Sequence, residues 1–157
     1  MNIKKLMVIL SVPLVLIAQT ACIGATEKPK LEADSLPLGE TIEVNLDLAE
    51  YKFIPNHLEF ELGKSYNLKI RNIGKVRHEI GAPVLAVSVL TLGVEVINKD
   101  GNTIVTFRGK PAGIELMPGQ TVHWRFIPIK AQPKAKQMTC DEPKHLQHGM
   151  LGTFIIR

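Results

Sequence analysis

Cysteine is scarce. The 157 residues contain two, Cys22 and Cys140, too few for a scaffold stapled by disulfides. Dense basic blocks are missing as well. The formal net charge of +4 falls to +2 once Lys4 and Lys5 are set aside, and the remainder is spread thinly, which argues against a nucleic-acid surface. The richest stretch, Lys130–Lys136 (KAQPKAK), reads as a solvated loop, with a docking patch for an acidic partner as the alternative. No apolar run makes a convincing membrane span. Beyond Glu40 no stretch repeats apolar residues with the 3.6-residue period over a helical length, which argues against a helical bundle.

What is present begins with an export pattern. Met1–Ala21 (MNIKKLMVILSVPLVLIAQTA) places Lys4 and Lys5 ahead of an apolar run from Leu6 to Ala18, the layout of a signal peptide that is removed. Cys22 follows the small residues Thr20 and Ala21 and resembles a bacterial lipoprotein acceptor, although Gln19 stands where that motif wants an aliphatic residue. Ordinary cleavage nearby, after Ala25, is the competing expectation. Residues 22–40, charged and carrying Pro29, Pro37 and Gly39, read as a tether. A single domain is expected over residues 41–157.

Within that span, short alternating runs are separated by turn residues. Thr41–Leu48 places Ile42, Val44, Leu46 and Leu48 on one face, and Tyr66–Ile70 does the same with Tyr66, Leu68 and Ile70. Leu58–Leu62, Val94–Ile97, Thr103–Phe107, Ile114–Leu116, Thr121–Phe126 and Gly152–Ile156 are further expected strands, and Asp100-Gly101 signals a hairpin. Such a pattern predicts an all-β sandwich. Ala82–Leu92 (APVLAVSVLTL) is apolar without a clean period and fits a strand, a short helix or a covering loop equally well.

The chemistry concentrates at the end of the chain, in CDEPKHLQHGMLGTFIIR. Four residues separate Cys140 from His145, and four separate His145 from Met150. Pro143 argues for an ordered loop over a helix, and Gly149 lends freedom just before the methionine. With His78 arriving from an upstream strand end, the set is one thiolate, two imidazoles and one thioether. Those donors suit a mononuclear blue-copper centre with a weak axial methionine, able to hold Cu(I) and Cu(II) alike. Structural zinc rarely chooses methionine. A cysteine nucleophile paired with His145 lacks an evident orienting residue or oxyanion nest. His148 contests the second imidazole position, but the regular spacing favours His145 and leaves His148 at the rim. His123 alternates along an expected strand as an outward or packed side chain, and His57 carries no distinct signal.

On these residues the chain resembles a cupredoxin. The closing segment is similar to that family's cysteine loop, Tyr51–Ile80 to its early region with Phe53, Pro55, Gly63, Asn72 and the His78-Glu79 pair, and Ile114–Phe126 to the strand pair that precedes the cysteine. The resemblance covers residues 41–157. It implies a Greek-key β-sandwich binding one type 1 copper ion through His78, Cys140, His145 and Met150. It further implies electron exchange with transient redox partner proteins through a ligand histidine ringed by apolar surface. Glu79 stands where the family often places Asn or another polar residue that knits the two ligand loops. The segment 82–113 is longer than in small electron carriers.

The expected function is therefore an exported, non-enzymatic carrier of single electrons, in the periplasm or on the outer face of the cytoplasmic membrane, expected as a monomer. A copper-handling protein that delivers or sequesters the ion is the alternative, with Met117 and Met138 as candidates for a transfer track. An oxidase or reductase is disfavoured because a lone mononuclear site offers no second metal cluster for multi-electron chemistry.

Overall fold

The computed structural model describes residues 39–157. The expected signal peptide, the lipid acceptor Cys22 and all of the tether but Gly39 and Glu40 lie outside the described residues. Among the described residues no helix is long and apolar enough to cross a membrane.

The chain crosses repeatedly between two sheets. Strands β1 (Ile42–Ala49) and β2 (Lys52–Ile54) open the first sheet, β3 (His57–Phe60) starts the second, and β4 (Tyr66–Asn72) returns to the first. β5 (His78–Gly81) belongs to the second sheet; then come a short helix α1 (Pro83–Ser88), β6 (Val89–Ile97) and β7 (Thr103–Phe107). β8 (Gly113–Leu116), β9 (Thr121–Pro128), β10 (Gln132–Thr139) and β11 (Leu151–Ile156) complete the order. The first sheet runs β2-β1-β4-β9-β6-β7 and the second β3-β11-β10-β5-β8. β1 with β4 and β3 with β11 are the parallel pairs, the crossovers of a Greek-key sandwich.

The core follows from alternation. In β4 the odd positions Tyr66, Leu68 and Ile70 are buried, and in β9 Val122, Trp124 and Phe126 are buried opposite them. Side chains of period two put these residues on one face of the sheet. Phe60 and Phe154 come from the second sheet to meet them. Phe60 packs edge-on against Tyr66 and Phe126 at centroid separations of 5.1 and 5.2 Å, a favoured geometry for aromatic quadrupoles. The polar tips are satisfied too: Trp124 Nε1–H donates to Thr91 Oγ1 at 3.1 Å, and the Tyr66 hydroxyl accepts the Glu61 N–H at 2.9 Å.

Three stretches depart from the sequence expectation or settle what it left open. Ala82–Leu92 is neither all helix nor all strand. Pro83 opens α1 at a position where its missing N–H costs nothing, and β6 follows with a register irregularity between Thr91 and Gly93. A switch from helix to strand plus a bulge destroys any single apolar period. Lys130–Lys136 is no loop beyond Lys130-Ala131: from Gln132 onward it lies in β10. Its ladder to β5 is a single register pair, Thr139 with Gly81, so most of β10 behaves as an edge, where Pro133 and lysines are tolerated and deter pairing. β2, three residues long, is too short to show a period.

The hairpin forms as expected. Asn98 Oδ1 accepts the N–H groups of Asp100 and Asn102, and Gly101 takes φ +84°.

Candidate metal centre

His78 opens β5 and is fully buried. The turn that delivers it is organised by Asn72, itself buried, whose amide donates to Val76 C=O (2.8 Å) and Leu116 C=O (2.9 Å) while its carbonyl accepts Gly74 N–H (2.9 Å). A buried amide with its amino and carbonyl ends both occupied specifies one loop conformation.

Cys140 follows the last residue of β10 and is buried. Beyond it, residues 143–149 form consecutive turns, not an α-helix. His145 N–H bonds to Glu142 C=O (3.0 Å), and Met150 N–H bonds back to His145 C=O (2.9 Å). Gly149, at φ +86°, occupies a region that L side chains rarely adopt. This closure turns His145 inward and leaves Met150 fully buried at the mouth of β11.

The result is a compact donor group. Cys140 Sγ lies 3.8 Å from His78 Nδ1 and 3.6 Å from His145 Nδ1, and the three donor atoms all fall within 4.8 Å of one another. A metal bound at ordinary sulfur and nitrogen distances, with trigonal to tetrahedral angles, keeps N and S roughly 3.6–3.8 Å apart. Both imidazoles turn the same nitrogen toward the sulfur. Burial foremost, then the adjacent His145, holds His78 below the ordinary histidine pKa, while Glu50 and Glu142 pull weakly the other way. The neutral imidazole is thereby favoured, the form that ligates a metal. With Met150 alongside, the four residues fit one type 1 copper ion.

The surroundings are specific. Glu79 N–H points to Cys140 Sγ at 3.4 Å, a contact that tempers the sulfur's charge. Its carboxylate does not knit the loops, the role its position suggested. It packs against Gly113, where a Cβ would collide with it, and burial foremost, then Asp141 and Glu115, raises its pKa. Arg77 does the knitting: its Nε and a terminal nitrogen both reach Glu142 Oε2 at 2.8 Å, and it also pairs with Glu115. The residue before one candidate ligand thus grips the loop bearing two others.

His148 stays outside the donor group. It is exposed, and its Nδ1 donates to Lys144 C=O at 2.6 Å. His123 Nδ1 meets the Asn67 amide at 3.0 Å on the outer face of the first sheet, and His57 bonds Thr153 at its edge of the second. Met138, buried with its terminal methyl against Gly152, packs the core; Met117 is half exposed. Sequence reasoning missed Arg77, Glu142, Glu50 and Tyr51. A bidentate-capable arginine beside a candidate ligand was the available signal for the first; the last two sit in a tight turn with no signature of their own.

No protein-family model matches the chain, and no curated protein matches it. The architecture nevertheless has counterparts: it is a cupredoxin-like β-sandwich. Among solved structures, the chain is similar to the multicopper oxidase of the hyperthermophile Aquifex aeolicus (TM-score 0.54, 12% identity, covering 76% of this chain and 30% of that one). It is similar also to the copper nitrite reductase of Nitrosomonas europaea (0.53, 13%, 81% and 52%) and the multicopper oxidase of Campylobacter jejuni (0.51, 15%, 78% and 31%). At such identities the likeness is one of fold. The chain spans about a third of the length of the two oxidases and about half that of the reductase.

Proposed function

We propose that the protein is an exported carrier of single electrons whose copper ion is held by His78, Cys140, His145 and Met150. The observation that carries the reading is the approach of both Nδ1 atoms to Cys140 Sγ at 3.6 and 3.8 Å inside a buried pocket of the sandwich. When bound, the ion supplies reversible one-electron redox. The protein's part is to hold four donors in one arrangement, exclude water and keep His78 neutral. Donors fixed by strand ends, by the Asn72 hub and by the Arg77–Glu142 pair need move little between oxidation states, which favours fast transfer.

A carrier is favoured over an enzyme because, among the described residues, one donor group is found, and its four donors leave no open position for substrate. The partner is a transiently docked redox protein. Half-exposed Leu146, immediately after His145, supplies apolar surface for such contact. Export rests on the sequence pattern of Met1–Ala21, with the periplasm or the outer face of the cytoplasmic membrane as the compartment. Copper delivery is less well supported, since Met138 is committed to core packing.

Titration of the purified protein with Cu(II) tests the reading. An intense thiolate-to-copper band near about 600 nm is expected, and Cys140→Ser should abolish it. A colourless copper complex overturns the assignment. Retention of Cu(I) against a strong chelator supports a carrier, whereas ready release points to copper delivery.

A further inference from the structure

The turn joining β1 to β2, Glu50–Tyr51, packs on one imidazole of the donor group and lies near the other. Tyr51 stacks edge-on against His145, with centroids 5.1 Å apart and planes at 71°. Its other neighbour is His148, at 4.8 Å and 37°. The Tyr51 backbone sits at φ +64°, the left-handed region, which is rare for a bulky side chain. Tyr51 as a residue is 46% exposed, so burial in the core does not explain why that conformation persists. Strained residues of this kind persist where surrounding contacts over-determine them, and they cluster at functional sites.

The preceding residue reaches the other imidazole. Glu50 Oε1 accepts the Lys75 N–H and lies over Gly74. A Cβ on Gly74 would stand 2.9 Å from that oxygen and 2.7 Å from His78 Nε2. Carboxylate and imidazole therefore share the space that a side chain at position 74 would fill. His78 Nε2 is buried and has no hydrogen-bond partner within the described residues; the Glu50 carboxylate stands near it without a hydrogen bond and bounds the space beside the ring.

We propose that the Glu50–Tyr51 turn is a positioning element of the metal centre, with Tyr51 fixing the plane of His145 while Glu50, seated over Gly74, fixes that of His78. This rests on the ligand roles proposed above. The turn is a third arm, beside the His78 strand end and the Cys140–Met150 loop, and it aims both Nδ1 atoms at the sulfur before any ion arrives.

Tyr51→Phe keeps the ring. Tyr51→Gly removes it and relaxes the backbone, since glycine accepts a positive φ, so folding is not expected to suffer. In the metal-free protein, long-range proton–nitrogen spectra should show His145 ring signals shifted and broadened in Tyr51→Gly and unchanged in Tyr51→Phe. His78 signals should move in Gly74→Ala and Glu50→Ala. In the copper-loaded protein, loss of metal to a chelator should be about tenfold faster in Tyr51→Gly, the scale typical of removing a partner that orients a ligand. Unchanged His145 signals together with wild-type release in Tyr51→Gly overturn the proposal. Should the wild-type protein give no charge-transfer band, the copper assignment fails while the metal-free spectra still decide whether the turn orients the imidazoles.

Discussion

At the scale of single residues, the site combines groups whose protonation and bonding are set by burial. His78 is the clearest. Its folded-state pKa is lowered, chiefly by burial, so the unfolded chain binds its proton more readily than the native one. The sign follows: native stability is fully present above the unfolded histidine value of about 6.5 and is lost as pH falls through it. Urea midpoints of the metal-free protein should therefore drop between pH 7 and pH 5, and the drop should be smaller in His78→Gln. Asn72 gives a second expectation. Truncation to Ala leaves two carbonyls and one N–H without their buried partner, a loss of about 2–3 kcal/mol by the cost of stranded polar groups. Chemical denaturation measures it; a change within 0.5 kcal/mol, the scatter of ordinary surface substitutions, would mean that the turn does not depend on this amide. The candidate donors were legible in the sequence because their chemistry resides in residue type and spacing: Cys140, His145 and Met150 recur at even intervals along one segment, and the structure brings His78, Cys140 and His145 together. Tyr51 was illegible because its proposed role depends on a backbone angle and on a ring contact with a residue 94 positions along the chain, neither of which leaves a pattern.

At the scale of elements, legibility follows how cleanly one face is buried. β4 and β9 alternate strictly and were expected nearly to their ends, whereas β10 hides behind Pro133 and its lysines, and α1–β6 behind a change of period. The ligand loop depends on an element-to-element tie as well. Arg77 on the approach to β5 and Glu142 in the loop are only partly covered, so solvent screens their pairing and little global stability is expected from it. Its effect should be local. In Arg77→Met the amide protons of His145, His148 and Gly149, all bonded within the loop, should exchange several-fold faster while core strands such as β4 exchange as before. Uniform acceleration across the molecule would instead make Arg77 a general stabiliser.

At the scale of the whole molecule, the sheet that carries the donors is joined unevenly. One half, β3-β11-β10, presents Cys140 and ends in the strand that follows Met150; the other, β5-β8, presents His78. The ladder between the halves is the single pair Thr139 with Gly81, and a side chain at Gly81 would press on Thr139 Oγ1 at 2.9 Å. An ion shared by His78 and Cys140 would therefore act as a rivet across the weakest seam of the sandwich. Loading should raise the melting temperature, as any ligand specific for the native state does, and should slow exchange most at the amides of Gly81 and Glu79. The same seam gives the empty protein a soft line along which it can part, so metal content and mechanical integrity would fail together.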